Sequence, residues 1–148
     1  MAETLGSLCD KLTVVKLKQW HSEDENKLKS LALQEKQLQT EINEFITAAI
    51  SGQIPVERLT FAANKVYKQE KNPVSEITGG IGEVFSKLAE VNCNLWHEQE
   101  KVYDFEQVPV PEKDKVVKQL AILNLERTKC IDEIDKVFRG VVEKISVN

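Results

Sequence analysis

Both tryptophans and both histidines of the chain occur as adjacent pairs, Trp20-His21 and Trp96-His97. Lys16 precedes Trp20 by four residues and Asn92 precedes Trp96 by four, so the members of each pair share one face of a helix. An indole ring is a stacking surface for a base or a sugar, and Lys, Asn and His side chains bind phosphates or hydroxyls. These spacings predict six ligand-binding residues: Lys16, Trp20, His21, Asn92, Trp96 and His97. The alternative is that both tryptophans pack as wedges between helices, the usual role of large aromatics at helical spacing.

Asn124 and Arg127 are two further candidates for ligand binding, because they lie on an otherwise apolar stripe of the last predicted helix. A guanidinium on such a stripe must be paired, since burying an isolated charge costs several kcal/mol. The partner is either a phosphate or carboxylate of a ligand, or an internal carboxylate that clamps the helices together. The internal candidates are Asp24, Glu100 and Asp135.

Each histidine is followed three residues later by a carboxylate, His21 by Asp24 and His97 by Glu100, and such pairs could act as metal ligands. Di-iron carboxylate bundles use the reverse order, Glu-x-x-His, together with further inward-facing glutamates that are not evident here. We therefore predict no metal ligand, and we expect histidines held by a neighbouring carboxylate or carbonyl. Four helical acidic residues resemble the magnesium-binding pairs of all-α nucleotide pyrophosphatases and leave a metal-dependent hydrolase acting on nucleotides as a further alternative: Glu41, Glu44, Asp132 and Asp135.

Other enzyme signatures do not occur in the sequence. The glycine-rich stretch at 79–82 is not followed by the Lys-Ser/Thr of a phosphate-binding loop, and no strand is predicted before it. There is neither a G-x-S-x-G elbow nor an H-E-x-x-H helix. The sequence thus favours a protein that is not an enzyme, and we predict no catalytic residue and no cofactor.

The Trp-His motif belongs to an internal repeat, in which Leu5–Asp24 aligns with Ile81–Glu100 at a constant shift of 76 residues. We infer an ancient duplication that produced two similar helical halves, about 5–75 and 81–146, within one helical domain spanning 1–148. A pseudo-twofold axis between the halves would place a shared or paired site near it. The copies differ where Lys16 in the first matches Asn92 in the second.

Apolar positions separated by three and four residues predict an all-α fold. One such seam runs from Val14 to Ala49, and no Gly or Pro interrupts 7–51. This pattern predicts a single long helix over much of that span, about 60 Å in length at 1.5 Å per residue. Gly52 is placed to end it.

Three more helices follow from the same reasoning. A shorter helix should begin near Ile54-Pro55 and end before Asn72-Pro73, and a third should cover Gly82 to about Tyr103. The four residues 108–111 contain two prolines and predict an extended connector before the last long helix. The expected architecture is a helical bundle of three long helices and one shorter one. The shorter helix should contain Leu59, Ala62, Ala63, Val66 and Tyr67, and the last should carry a stripe of Val116, Leu120, Leu123, Arg127, Ile131, Ile134, Phe138 and Val141.

Composition limits the kinds of partner. The chain has 148 residues, of which 24 are acidic and 20 basic, so its net charge of −4 provides no long-range positive field. We therefore expect no nucleic-acid and no membrane partner, although a local basic pocket is compatible with this balance. The chain has no apolar run near the roughly 18 residues of a membrane span and no leader pattern, and we expect a cytoplasmic protein. Cys9, Cys93 and Cys130 have no C-x-x-C spacing and are expected to be small core residues.

The second half of the chain resembles an uncharacterised family of bacterial all-helical proteins. The resemblance covers about 82–138 and rests on two motifs, N-x-x-L-W-H-x-x-E from Asn92 to Glu100 and L-N-x-x-R-x-x-x-I-D-x-I-D from Leu123 to Asp135. The family brings no established activity. Members encoded beside sugar-transfer genes imply a nucleotide-sugar as one ligand class.

These observations lead to one functional hypothesis and one rival. The hypothesis is a non-enzymatic binding protein, a homo-oligomer, whose Trp-His helices and Arg127 hold or sequester a small anionic ligand such as a nucleotide. The rival is a structural or protein-interaction module, in which the seam from Val14 to Ala49 is a coiled-coil surface and no small ligand binds.

Overall fold

The computed structural model describes residues 2–61, 74 and 76–147, and this part of the chain is helical without a strand. It confirms the predicted all-α bundle. The four helices are α1 (Leu5–His21), α2 (Glu25–Ile50), α3 (Ile81–Tyr103) and α4 (Val110–Val147). Single 3-10 turns lie at Val56–Arg58 and Phe105–Gln107.

The prediction of one uninterrupted helix through the first third of the chain was wrong. Helix α1 ends at His21 and α2 begins at Glu25, with Asp24 as the residue that caps α2. The Asp24 carboxylate accepts a hydrogen bond of 3.0 Å from the amide of Lys27, and aspartate is among the strongest residues at this position. This local cap starts a new helix that runs back along α1, and Lys16 of α1 forms an ion pair with Glu35 of α2. An antiparallel hairpin therefore replaces a single long rod.

Two other boundaries differ from expectation, whereas two are confirmed. Gly52 ends α2 with a positive φ of 82°, and α3 covers the predicted span. The chain after Ile54-Pro55 forms a 3-10 turn rather than the start of a regular helix, while Ala62, Ala63, Val66, Tyr67 and the break at Asn72-Pro73 lie outside the described residues. Pro111 lies in the first turn of α4 instead of a connector, because the N–H groups of a first turn have no acceptor within the helix and a proline there loses no hydrogen bond.

Helices α3 and α4 form a second antiparallel hairpin, and α1 packs beside both of its helices. Asp10 contacts Asn92 and His21 contacts Trp96, so α1 and α3 run parallel, with their repeated segments side by side. Helix α4 runs antiparallel to α1 and approaches it most closely at Gly6, where an added Cβ would lie 2.5 Å from the carbonyl oxygen of Ile131. Only glycine allows this approach.

The hydrophobic core lies at the end of the bundle that contains the start of α1 and the end of α4. Its largest fully buried side chains include Leu59, Val84, Leu88, Ile134 and Val142. On the predicted stripe of α4, Val141 is exposed and Val142 takes the buried position, which follows the buried Phe138 by four residues instead of three. Cys9 and Cys130 are core residues as predicted, and burial raises the pKa of both thiols to about 11. Cys93 is exposed, contrary to the prediction.

Candidate functional site

An ion pair between the buried Asp10 and the half-buried Arg127 joins α1 to α4 near the middle of the bundle. Arg127 donates from Nε to Asp10 Oδ1 at 2.8 Å and from Nη2 to the other carboxylate oxygen. Asn92 donates to Asp10 Oδ1 at 2.9 Å and also to the hydroxyl of Thr13 at 2.7 Å. Asp10 is only 3% exposed, so nearly all of its compensation comes from these donors. The hydrogen bonds from Arg127 to Asp10 raise the pKa of the guanidinium above its ordinary value.

The sequence correctly required a partner for Arg127, but Asp10 was not among the three carboxylates proposed for it. Asp24 caps α2, and Glu100 accepts a hydrogen bond of 2.8 Å from the indole of Trp96. Asp135 accepts from the amide of Gly6 at 2.7 Å, at the N-terminus of α1. Asp10 is 117 residues from Arg127 and sits on no recognised motif, which explains why spacing did not identify it.

Asp135 is a second buried carboxylate at the contact between α1 and α4. It is 1% exposed, and its Oδ2 makes no hydrogen bond within the described part of the chain. Burial raises the pKa of Asp135 to about 6, while the Gly6 amide and the Thr4 side chain act in the opposite direction. The carboxylate therefore fixes the beginning of α1 to α4 at an energetic cost when it is ionised.

The two Trp-His motifs meet at the end of α1, but they do so unequally. The imidazole of His21 stacks on the indole of Trp96 with 4.6 Å between ring centroids and 21° between planes. His97 meets His21 edge-on at 6.5 Å, and its Nδ1 is 3.9 Å from Glu100 Oε2. Trp20 is 85% exposed and is not a wedge between helices. The repeat thus brings three of the four rings together and leaves the fourth facing solvent.

Two neighbouring cavities, of about 300 and 380 Å³, lie between α1 and α2 and have Lys18 and Gln34 in common as lining residues. We call this feature the α1–α2 groove. Helix α4 contributes Arg127 to one end and helix α3 contributes Trp96 to the other. The remaining lining residues come from α1, α2 and the turn between them: Lys11, Val14, Val15, His21, Ser22, Lys27, Ser30, Leu31, Gln37 and Leu38.

A change of polarity along α2 explains why the groove is open. Its face carries the polar residues Ser30, Gln34 and Gln37 in the first half, at spacings of three and four. In the second half the same helix contributes Ile42, Phe45 and Ile46 to the core. The bundle therefore closes around apolar side chains at one end, and at the other it leaves a cleft whose walls combine polar side chains of α2 with Leu31 and Leu38.

The α1–α2 groove is positive although the whole chain is negative. Lys11, Lys18, Lys27 and Arg127 line it, and the described residues that form its walls include no aspartate or glutamate. Lys11 pairs with the exposed Glu3 at 2.9 Å and Arg127 pairs with Asp10, whereas neither Lys18 nor Lys27 forms an ion pair with another described residue. A small anion would meet ammonium groups, amides and an aromatic pair in this groove.

Three of the eight predicted site residues line the groove, and five do not. His21, Trp96 and Arg127 are in its walls. Asn92 lies behind the wall, where it holds Asp10, and the other four lie elsewhere. Lys16 pairs with Glu35, and hydrogen bonds from Gln19 and Lys16 lower the pKa of that carboxylate. Asn124 donates a hydrogen bond to the carbonyl of Leu120 in its own helix. Trp20 is exposed to solvent, and His97 lies beside Glu100.

Comparisons with family models, with curated proteins and with solved structures found no match. Within residues 2–61, 74 and 76–147, no three His, Cys, Asp or Glu side chains are grouped closely enough to hold a metal ion. Across the same residues, no helix combines the length and apolar character needed to cross a membrane.

Sequence reasoning missed the groove's lysines and glutamines. Lys11, Val14, Val15 and Lys18 follow the spacing of one helix face, so α1 carries a signal of cations beside apolar residues. The prediction that α1 and α2 form one helix concealed it, because a straight helix has no second wall opposite that face.

Proposed function

We propose that this protein is a non-enzymatic binding protein that holds or sequesters a small anionic, nucleotide-like ligand in the α1–α2 groove. The observation that carries the proposal is the grouping of Lys11, Lys18, Lys27 and Arg127 around a groove that contains no acidic wall residue. Such a concentration of positive charge in a protein of net charge −4 favours an anion over a neutral ligand.

The aromatic pair supports a ligand that carries a ring. His21 and Trp96 line the same groove as the lysines, and a flat aromatic surface beside cationic donors suits a base attached to phosphates. Nucleotide-sugars belong to this ligand class, in keeping with the proposed resemblance to the uncharacterised bacterial family. The proposal assigns no catalytic residue, and it keeps the expected cytoplasmic setting and the absence of nucleic-acid and membrane partners as parts of the same hypothesis.

Isothermal titration of the purified chain against nucleotides, nucleotide-sugars and sugar phosphates tests this function. Lys18→Gln removes the cation shared by both halves of the groove without disturbing a described ion pair. Lys36→Gln is the matched control, because Lys36 is an exposed lysine of α2 outside the groove. We expect Lys18→Gln, and not the control, to weaken binding about tenfold, in proportion to one charge-assisted hydrogen bond. No binding across the panel would contradict the proposal.

The exposed Trp20 favours a second candidate function, self-association or binding to another protein. Its 85% exposure is unusual for an indole, and tryptophan is enriched in the centres of protein interfaces. We propose a homo-oligomer on this basis. Light scattering at several concentrations should give a mass above that of the monomer for the native chain, and a lower mass for Trp20→Glu. A monomer for both, at all concentrations, would exclude self-association.

A further inference from the structure

The α1–α2 groove has two chemically different ends. Lys11 and Arg127 line one end, and His21 and Trp96 line the other together with Lys27. Lys18 lies between them and belongs to both halves. Ten residues separate Lys11 from His21 along α1, which corresponds to a distance of about 15 Å at 1.5 Å per residue. The cations and the rings therefore cannot all contact one compact anion.

The end at Lys11, which we call the anion end, retains donors that the protein itself does not use. Asp10 occupies Nε and Nη2 of Arg127, and Nη1 makes no hydrogen bond with the described residues. The pair with Asp10 fixes the guanidinium plane, so Asp10 acts as a positioning residue. Among the described residues, Lys11 is held only by the exposed Glu3, and an ion pair of that kind is easily exchanged for a phosphate.

The opposite, aromatic end is also fixed in position. His21 Nδ1 lies 2.8 Å from the carbonyl oxygen of Leu17. Because a carbonyl oxygen accepts, Nδ1 carries the proton of this hydrogen bond. Trp96 is held by its hydrogen bond to Glu100 at 2.8 Å. Both rings of the stacked pair are therefore anchored before any ligand binds, which lowers the entropy cost of stacking a base.

We propose that the ligand is a nucleoside 5′-diphosphate or 5′-triphosphate, with its base packed against His21 and Trp96 and its terminal phosphates at Lys11 and Arg127. This inference rests on the proposed function and adds the orientation and the phosphate number. The phosphate nearest the ribose reaches Lys18, and the outer phosphates extend to the anion end. A nucleoside monophosphate is too short to contact both ends, and inorganic tripolyphosphate has no base for the aromatic end.

The experiment compares the dissociation constants of ATP, ADP, AMP and inorganic tripolyphosphate for the native chain and its variants. For the native chain we expect ATP to bind at least tenfold more tightly than AMP, because the outer phosphates add charge-assisted hydrogen bonds. We also expect ATP to bind about tenfold more tightly than tripolyphosphate, which is within the range for stacking one base. If the native chain prefers another base, the corresponding series is used.

Variants assign each preference to one end of the groove. Lys11→Gln should weaken ATP about tenfold and leave AMP unchanged, whereas Lys36→Gln should alter neither. Trp96→Leu should abolish the preference for ATP over tripolyphosphate, and Trp96→Phe, which keeps a ring, should retain most of it. Circular dichroism of each variant establishes that it is folded. If Trp96→Leu is not folded, the comparison of ATP with tripolyphosphate in the native chain tests the aromatic end.

The possible outcomes distinguish the two-ended orientation from the proposed function, anion binding in the α1–α2 groove. Equal loss of ATP and AMP in Lys11→Gln, or equal affinity of native protein for ATP and tripolyphosphate, overturns the two-ended orientation while leaving an anion-binding groove. Failure of every nucleotide and phosphate to bind overturns both.

Discussion

Replacement of Asp10 by Asn is the sharpest test of how the helices are held together. The Asp10 side chain is 5% exposed and faces three donor groups from Asn92 and Arg127. The amide of asparagine removes the negative charge and directs a donor at the guanidinium, which leaves Arg127 without its counter-charge. Loss of one partner from a buried pair costs about 3–5 kcal/mol. Because the Arg127 side chain is 35% exposed, water relieves part of this cost, and we expect about 2–3 kcal/mol.

Urea unfolding followed by circular dichroism measures this loss directly. For a chain of this length the expected decrease corresponds to a fall in Tm of roughly 5–12 °C. Glu23→Gln is the control, because it removes an exposed carboxylate from the turn between α1 and α2 and should change stability by less than about 0.5 kcal/mol. A double-mutant cycle with Arg127→Gln should yield a coupling of about 2 kcal/mol. A loss below about 0.5 kcal/mol for Asp10→Asn would refute the reasoning, since it would mean that the pair is not desolvated.

Three other predictions concern the contact between α1 and α4 and the surface cysteine. The pKa of Asp135 in the folded chain, about 6, lies above its ordinary value of 3.8, so its contribution to stability is greatest at low pH and is lost as the pH rises from 4 to 6. Urea titrations should find this fall, on the order of 3 kcal/mol, and Asp135→Asn should remove it; an equal fall in the variant would exclude Asp135 as its source. Gly6→Ala should destabilise the chain by more than about 2 kcal/mol through its clash with α4, whereas Gly82→Ala at the matching position of the repeat has open space and should be nearly neutral in thermal unfolding. Equal effects would contradict the close approach. Cys93 should react with a thiol reagent in the folded protein while the two buried cysteines do not, and slow labelling of all three would contradict its exposure.

Helical periodicity was sufficient to predict the fold class, the span of α3 and the end of α2 at Gly52, because these follow from local spacing and from one residue type. It did not predict the break before Asp24. The three- and four-residue spacing of apolar positions continues across the turn between α1 and α2, so it does not show the break. The hydrogen bond that caps α2 comes from the single side chain of Asp24.

The sequence predicted the aromatic rings and the guanidinium of the candidate site, but not its lysines or the carboxylate that holds Arg127. Periodicity and rarity identified His21, Trp96 and Arg127, whose ring systems and guanidinium are conspicuous in any sequence. Lys11 and Lys18 resemble the many exposed lysines of a charged helix, and only the packing of α2 opposite α1 distinguishes them. Asp10 is likewise defined by a contact between distant parts of the chain.

The central claim is that the α1–α2 groove binds an anionic nucleotide-like ligand through its own cations. Titration of ATP into the native chain, Lys18→Gln and Lys36→Gln tests it most directly, with the remaining nucleotides and nucleotide-sugars measured in the same way if ATP does not bind. Saturable binding that weakens about tenfold in Lys18→Gln and is unchanged in Lys36→Gln is the predicted result. Absence of binding by every member of the series, or equal binding by all three proteins, would contradict the claim.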